Sequence, residues 1–371
     1  MSLKQKIKFN NKDRNVFFIT MNKRVDLYFK EKGISKHSNA TMVSKTIILL
    51  GMYLVPFICI LVFNPPAYVS FICWAISGFG LAGVGMSIMH DANHQAYSKS
   101  KFVNKLMGHT LNLCGASIFN WNIQHNVMHH TFTNINGLDE DIEDKPPLRF
   151  SPHTPVKEYH KAQVVYAFLF YGILTLYWVL LKDFVQFIKY IKNGVNENTK
   201  AQNAVVFLKI SVLKILYFGT VIVLPIFVLE IPVAEVICGF LLMHFIAGII
   251  LTTTFQLAHT VDGTTHPLPD ENGMIDNEWA VHQMETTINF SRKSKILSWY
   301  MGGLNFQVEH HLFPRISHVH YPEISKIVKA TAEEFGVPYL ENETLGQALK
   351  AHLVALKKLG RLPNINDALA G

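Results

Sequence analysis

The stretch TIILLGMYLVPFICILVF-NPP-AYVSFICWAISGFGLAGVGMSIM-HDANH, residues 46–94, determines the fold class of this chain. Two uncharged apolar runs, 46–63 and 67–89, flank the short connection Asn64–Pro66. A membrane-spanning helix needs about 20 apolar residues, so each run is long enough to cross a bilayer. The stretch therefore predicts a transmembrane helical hairpin whose returning helix ends at His90.

The composition supports a membrane protein. Of the 371 residues, 49% are hydrophobic and only 16% are charged, whereas soluble domains carry about 25% charged residues. The net charge is +7, and eleven of the Lys and Arg residues lie in the first 45 positions. Because this basic segment precedes an apolar run, a cytosolic N-terminus is favoured over a nucleic-acid-binding arm. We see no linker and no internal repeat, so we expect a single domain over 1–371.

Further apolar runs cover 164–181, 204–229 and 231–258. If the histidine groups on either side share one site, the chain must cross an even number of times between them, because the apolar core is about 30 Å thick. The acidic turn at Glu230 suits the outer face, so the last two runs pair as a second hairpin. The run 164–181 continues into an amphipathic, lysine-containing segment and is expected to lie at the interface. Five crossings or a re-entrant segment are the alternatives.

The predicted fold is an all-α integral membrane protein with four transmembrane helices in two hairpins and additional interfacial helices. A cytosolic helical domain carrying a di-metal site caps the hairpins, and both termini and the site face the cytosol. Lys209 and Lys214 are expected to snorkel to the basic face. The predicted segments are a basic cytosolic N-terminus (1–45), hairpin one (46–89), a cytosolic and interfacial region (90–203), hairpin two (204–258) and a cytosolic region (259–371).

Three groups of histidines, HDANH, HNVMHH and QVEHH, each lie beside an apolar run. Neutral imidazole is the commonest protein ligand of transition metals. On a helix, residues four apart share one face, whereas adjacent residues diverge by about 100°, so an adjacent pair can serve two metals. We therefore expect one shared metal centre with these ligands: His90, His94, His125, His129, His130, His310 and His311.

Other residues extend or limit this set. His259 closes the last apolar run at the expected interface depth and is an eighth candidate ligand, whereas His244 would lie about 22 Å deeper and is expected to pack. Gln307 is a candidate neutral ligand, acting directly or through water. Eight imidazoles suit two octahedral irons better than one zinc, although imidazole also suits copper, nickel and zinc. Asp91 and the run Asp139–Asp144 are candidates to hydrogen-bond metal-bound histidines; the run is equally consistent with a solvated loop.

The ordered trio of histidine groups, with apolar hairpins before the first and between the last two, resembles the membrane fatty acid desaturases. Gln307 in place of a histidine is similar to their front-end group, which desaturates between an existing double bond and the carboxyl end. HNVMHH has three residues before its final pair where two is the commoner spacing, which makes His125 the weakest ligand candidate of its group. The resemblance covers roughly residues 40–340, including Trp121–Gln124, Thr131–Asp141, Phe255–Val261, Trp279–Asn289 and Leu312–Pro314.

The resemblance implies an O2-dependent oxidoreductase with two iron ions that introduces a cis double bond into an acyl chain carried as acyl-CoA or acyl-lipid. It implies front-end regioselectivity, such as delta-6 on linoleoyl substrates, and no catalytic side chain beyond the metal ligands. No His-Pro-Gly-Gly haem motif is present, so no fused cytochrome b5 domain is expected. Electrons would come from a separate carrier of ferredoxin or cytochrome b5 type. The lipid bilayer is an expected partner and nucleic acid is not.

Two rival functions remain open at this point. A lipid or alkyl hydroxylase of the same superfamily would carry nearly the same histidines, and Gln307 is the main feature that favours desaturation. A histidine-rich metal transporter would need metal-binding groups along the spans, where His244 is the only histidine.

Overall fold

A computed structural model gives the structure of residues 7–10, 15–144 and 146–363. The described chain is mainly helical, as expected, and its two-residue strands form two parallel pairs: Lys8–Phe9 with Met274–Ile275, and Asn289–Phe290 with Glu341–Asn342. The chain divides into two compact units. Unit 1 contains Met1–Ser38, Gln124–Ala167 and Thr254–Gly371, and unit 2 contains Asn39–Ile123 and Phe168–Thr253. The assignment of 1–371 to one domain stays a prediction.

The helices fall into three sets. In unit 1 they are Val16–Lys32, His130–Phe132, Glu158–Ala162 (3₁₀), Trp279–Thr286, Lys295–Tyr300, Gln307–Leu312, His318–His320 (3₁₀), Tyr321–Glu334 and Leu345–Leu359. In unit 2 they are Ala40–Phe63, Ala67–Gly83, Val84–Ile88 (π), Met89–Asn93, Lys101–Gly108, Thr110–Leu113, Ile118–Trp121, Trp178–Lys182 (π), Asp183–Lys192, Lys200–Phe218 and Gly219–Val228 (π). Three further helices contain residues of both units: Asn122–His129 (π), Gln163–Tyr177 and Val233–His259.

The predicted first hairpin is confirmed as two long apolar helices, Ala40–Phe63 and Ala67–Asn93. Asn64 adopts a left-handed conformation (φ 41°) and ends the first of them. The helices approach closely at Gly80, where a Cβ atom would lie 2.3 Å from the backbone nitrogen of Tyr53. Only glycine fits there without moving backbone, so local sequence and packing agree on this hairpin.

The run predicted to lie at the interface is part of one continuous helix, Glu158–Lys192, 35 residues long. It is one of five helices in the described chain that are long and apolar enough to cross a membrane. The sequence predicts four crossings, with this helix at the interface. The fold is thus a largely helical membrane protein with five candidate spans, and the four-crossing arrangement stays a prediction.

The other predicted pair of apolar helices is also present, as Lys200–Val228 and Val233–His259. The connection contains Glu230 in a left-handed conformation (φ 53°), as expected for a tight turn. The prediction that Lys214 snorkels to the surface is wrong. Its ammonium is buried and lies 2.6 Å from the carboxylate of the fully buried Asp183. This ion pair keeps the lysine side chain inside the protein.

The basic N-terminal segment contributes a folded element to unit 1. Helix Val16–Lys32 buries an apolar stripe of Phe17, Met21, Val25 and Phe29, at the spacing of four that places residues on one helix face. This stripe joins the core of unit 1 with side chains of the helices Gln307–Leu312 and Tyr321–Glu334. The N-terminal helix therefore supports the helix that carries QVEHH.

Candidate metal centre

The first histidine group lies at the end of the second long helix, as predicted. His90 and His94 are one helical turn apart in unit 2, and their ring centroids are 4.7 Å apart. Both side chains are buried. The indole of Trp121 meets both rings edge-on, with centroid distances of 5.8 and 5.6 Å. The spacing of four thus gives a pair of imidazoles on one face, held against a tryptophan.

The second group lies on a π-helix, Asn122–His129, followed by the short helix His130–Phe132. A π-helix has wider turns than an α-helix and recurs at functional sites, so it accommodates the three residues between His125 and His129. Their rings stack with centroids 5.1 Å apart, and the ring of His130 lies 4.8 Å from that of His125. The unusual spacing therefore does not remove His125 from the histidine cluster.

The third group lies on helix Gln307–Leu312 and meets the second within unit 1. Ring centroids of His130 lie 4.6 Å from those of both His310 and His311. His259, the last residue of its long helix, joins the same cluster: one ligand atom each from His129, His259 and His311 lie within 4.8 Å of one another. Tertiary structure thus brings together all six candidate histidines of unit 1, although His259 had no spacing motif to identify it.

Five imidazoles of this cluster are anchored at Nδ1, which leaves Nε2 as the nitrogen that each can offer to a metal. The Nδ1 partners are Asp141 Oδ2 for His125 (2.8 Å), both Asp139 oxygens for His129 (3.0 and 2.9 Å), the Thr286 carbonyl for His259 (3.3 Å), the Tyr321 hydroxyl for His310 (3.3 Å) and Gln283 Oε1 for His311 (2.7 Å). Metal-binding histidines usually have such a partner on the second ring nitrogen.

The acidic run therefore contains the predicted carboxylate partners of histidines. Asp139 and Asp141 contact imidazoles of the second histidine group, whereas Asp144 accepts hydrogen bonds from the backbone of Phe150 and Ser151. Burial lowers the pKa of His129, but the Asp139 carboxylate outweighs it, so the pKa lies above its usual value. The run divides between two functions, one at the histidine cluster and one in loop structure.

Gln307 occupies the position expected of a neutral ligand. Its Nε2 atom lies 2.9 Å from His259 Nε2 and 3.4 Å from His311 Nε2. The two ends of an amide exchange by a half-turn of the side chain, so the same position allows the oxygen to face these nitrogens. Gln307 thus lies among the candidate ligands of unit 1.

Sequence reasoning missed several groups that orient the histidines. Gln283 accepts a hydrogen bond from His311 and donates to the carbonyl of His130, at 3.3 Å. Trp279 Nε1 donates to the same carbonyl at 3.1 Å, and Tyr321 contacts His310. Gln283 and Trp279 both lie in the run Trp279–Asn289, which resembles the desaturase family. The sequence alone assigned no role to either residue.

His244 forms no part of either histidine cluster. It is fully buried in unit 2, where its Nε2 lies 2.8 Å from the Tyr217 hydroxyl and its Nδ1 lies 3.3 Å from the Thr175 hydroxyl. Both ring nitrogens are therefore engaged by hydroxyl groups, as expected of a packing histidine.

The donor set of unit 1 fits a transition metal. In the described part of the chain, no protein group hydrogen-bonds His129 Nε2 or Gln307 Oε1, although both atoms are buried. Burying polar atoms without partners is unfavourable, and a cation among imidazole nitrogens removes that cost. The chemistry of the cluster therefore fits a metal site.

Comparison with known proteins agrees with this geometry. The fatty acid desaturase family profile matches residues 46–342. The sn-1 linoleoyl-lipid 6-desaturase of Synechocystis sp. is 34% identical over 96% of this chain and 98% of its own length. The enzyme of the same name from Arthrospira platensis is 35% identical over 92% of each chain. An acyl-lipid (8-3)-desaturase of Physcomitrium patens is 35% identical over 96% of this chain and 74% of its own. The chain belongs to the fatty acid desaturase family and is an oxidoreductase of lipid metabolism.

Proposed function

We propose that this protein is a front-end desaturase that introduces a cis double bond, such as delta-6, into linoleoyl chains carried on membrane lipids. The observation that carries the proposal is the pairing of the histidine cluster with Gln307 in the third group. The names of the similar proteins from Synechocystis sp. and Arthrospira platensis specify the same bond and a lipid carrier. Acyl-CoA remains the alternative carrier.

The proposed centre contains two iron ions held by eight imidazoles, those of His90, His94, His125, His129, His130, His259, His310 and His311, with Gln307 as a direct or water-mediated ninth ligand. With O2 as co-substrate, bound iron supplies the oxidising power to remove hydrogen from an unactivated methylene, which no side chain can do. The chain's own residues bind and orient the metals: Asp139, Asp141 and Gln283 fix the rings through Nδ1. Apolar helices exclude water and present the acyl chain.

Lipid profiling of an expressing host tests the reaction. Cells fed with linoleate should gain a fatty acid two mass units lighter than linoleate, with the new double bond on the carboxyl side of the existing ones. A product sixteen units heavier would show a hydroxylase instead. Positional analysis of intact lipids separates the carriers, because a lipid-linked enzyme enriches the product at one glycerol position before it appears in acyl-CoA.

Metal analysis tests the centre. Purified protein reconstituted with Fe(II) should hold two irons per chain. His130→Ala and His310→Ala should lose activity while membrane insertion is unchanged. One zinc without iron would contradict the desaturase and favour the transporter alternative.

We further propose four crossings, with Glu158–Lys192 at the interface and both termini and the metal ligands on the cytosolic face. The positive charge of the N-terminal segment supports this orientation. Cysteine-labelling from each side of sealed vesicles tests it: single cysteines at Lys32 and Lys357 should both react from the cytosolic side. Opposite labelling would indicate five crossings.

A separate small carrier, of ferredoxin or cytochrome b5 type, is proposed as the electron donor, since the sequence holds no His-Pro-Gly-Gly haem motif. Purified enzyme should turn over only when such a carrier and its reductase are added. Turnover with the reductase alone would contradict this assignment.

A further inference from the structure

An ion pair outside the histidine groups is buried in unit 2. Lys214 Nζ lies 2.6 Å from Asp183 Oδ2, and the carboxylate is inaccessible to solvent. Lys214 lies on helix Lys200–Phe218, and Asp183 is the first residue of helix Asp183–Lys192. A buried pair is tolerated only when further hydrogen bonds satisfy its remaining donors and acceptors, so its other partners indicate its function.

Those partners lie mostly in one short segment, Gly115–Trp121, between the first two histidine groups. Lys214 Nζ donates to the Gly115 carbonyl at 2.6 Å, and the backbone N–H of Ser117 donates to Asp183 Oδ2 at 3.0 Å. The Asn120 amide donates to the Asp183 carbonyl at 2.6 Å. The segment is therefore held at three points by residues far away in sequence.

The π-helix Trp178–Lys182 completes this arrangement. Carbonyls of a π-helix accept from i+5 instead of i+4, and the Trp178 carbonyl accepts a hydrogen bond from Lys214 Nζ at 3.3 Å. The Trp178 indole donates to Asp183 Oδ1 at 3.2 Å. Both charges are thus fixed in place from two sides.

The segment ends at Trp121, whose ring meets both His90 and His94 edge-on. A displacement of the segment would move this indole and release one side of the histidine pair. Metal affinity depends on ligand rings being held before the metal arrives. The ion pair is therefore connected to the first histidine group through one aromatic contact.

We propose that Asp183 and Lys214 are positioning residues for the metal centre, acting through the Gly115–Trp121 segment on the rings of His90 and His94. This inference rests on the proposed metal function of these histidines. It assigns a role to two charges that neither coordinate metal nor contact the histidines.

The test uses full-length protein in detergent, loaded with Fe(II) and challenged with graded chelator. Asp183→Asn and Lys214→Met should release iron at about tenfold lower chelator concentration than wild type, in line with the 10–100-fold effect of groups that orient ligands. Lys214→Arg, which keeps the charge, should restore most of the retention. Ile210→Ala is the matched control, because Ile210 is buried on the same helix as Lys214 and its truncation destabilises packing alone.

The control separates positioning from stability. Ile210→Ala should lower the unfolding temperature without changing iron retention by the folded fraction. Equal retention by wild type and the two charge variants, or equal loss by Ile210→Ala, overturns the inference. If the charge variants do not fold, Trp121→Phe is used instead, because it leaves the ion pair intact. This variant should release iron at a lower chelator concentration than wild type. Unchanged iron retention by Trp121→Phe rejects the proposal. Wild-type protein that binds no metal at all overturns the proposed function itself.

Discussion

Replacement of Asp139 by asparagine tests the metal centre without removing any ligand. Both Asp139 oxygens lie within 3.0 Å of His129 Nδ1, so the carboxylate fixes the ring and increases the basicity of its other nitrogen. Asparagine keeps one acceptor oxygen but loses the charge. We expect metal affinity to fall 10–100-fold, which corresponds to about 1.4–2.7 kcal/mol.

The same substitution has a separate effect on stability. Asp139 also accepts hydrogen bonds from the backbone N–H groups of Asn134 (2.9 Å) and Asp141 (3.0 Å). A single amide oxygen cannot replace all of these, and a buried unsatisfied donor costs about 1–3 kcal/mol. Metal affinity must therefore be measured on the folded fraction only.

The assay is chelator competition followed by metal analysis, with circular dichroism to quantify folded protein. Asp144→Asn is the matched control, since it removes a charge from the same run, and the hydrogen bonds that Asp144 accepts in the described part of the chain come from the backbone N–H groups of Phe150 and Ser151. Asp139→Asn should lose metal and the control should not. Equal retention by the two variants would refute the role of Asp139 in the centre.

Three further substitutions separate packing, charge and ligation. Gly80→Ala should greatly reduce the yield of folded protein, because the added Cβ would lie 2.3 Å from backbone of the neighbouring helix. The control Gly51→Ala should fold normally, because nothing lies within 4 Å of a Cβ there. Equal yields of the two variants would contradict this helix crossing. Glu341→Gln should destabilise the fold by about 1 kcal/mol at neutral pH. Burial raises the pKa of Glu341, but its arginine partner outweighs this and lowers it below 4.5, so the stabilisation is present above that value and is lost as pH falls through the folded pKa. Thermal melts at pH 7 and 3.5 should show the difference shrinking. His259→Ala should reduce bound metal, whereas His244→Ala should retain it. The reverse order in metal analysis would contradict the assignment of His259, and not His244, to the candidate metal centre.

Local sequence was sufficient where the physics is local. An apolar run long enough to span a bilayer predicts a helix, and both expected hairpins are present as helix pairs. Spacing of four places His90 and His94 on one face regardless of the rest of the fold. For the same reason the three histidine groups could be predicted to bind metal before any contact was known.

Long-range contacts were not accessible in this way. His125 and His129 lie side by side on a π-helix, whose turns are wider than those of an α-helix. From the sequence alone, the three residues between them were only an unusual spacing. Gln283 and Tyr321 orient histidines from distant positions, and many glutamines or tyrosines in the chain were equally plausible.

Lys214 shows the limit most clearly. By sequence it is a lysine inside the apolar run 204–229, and snorkelling to water is the favourable outcome for an isolated charge. Only the fold brings Asp183, the Gly115 carbonyl and the Trp178 carbonyl to it. The sequence by itself determined the membrane class, the hairpins and the candidate metal-binding groups, because these follow from hydrophobicity and helical periodicity. The tertiary structure alone decided which polar partners hold the candidate ligands and which buried charges are paired, because those contacts join residues far apart in the chain.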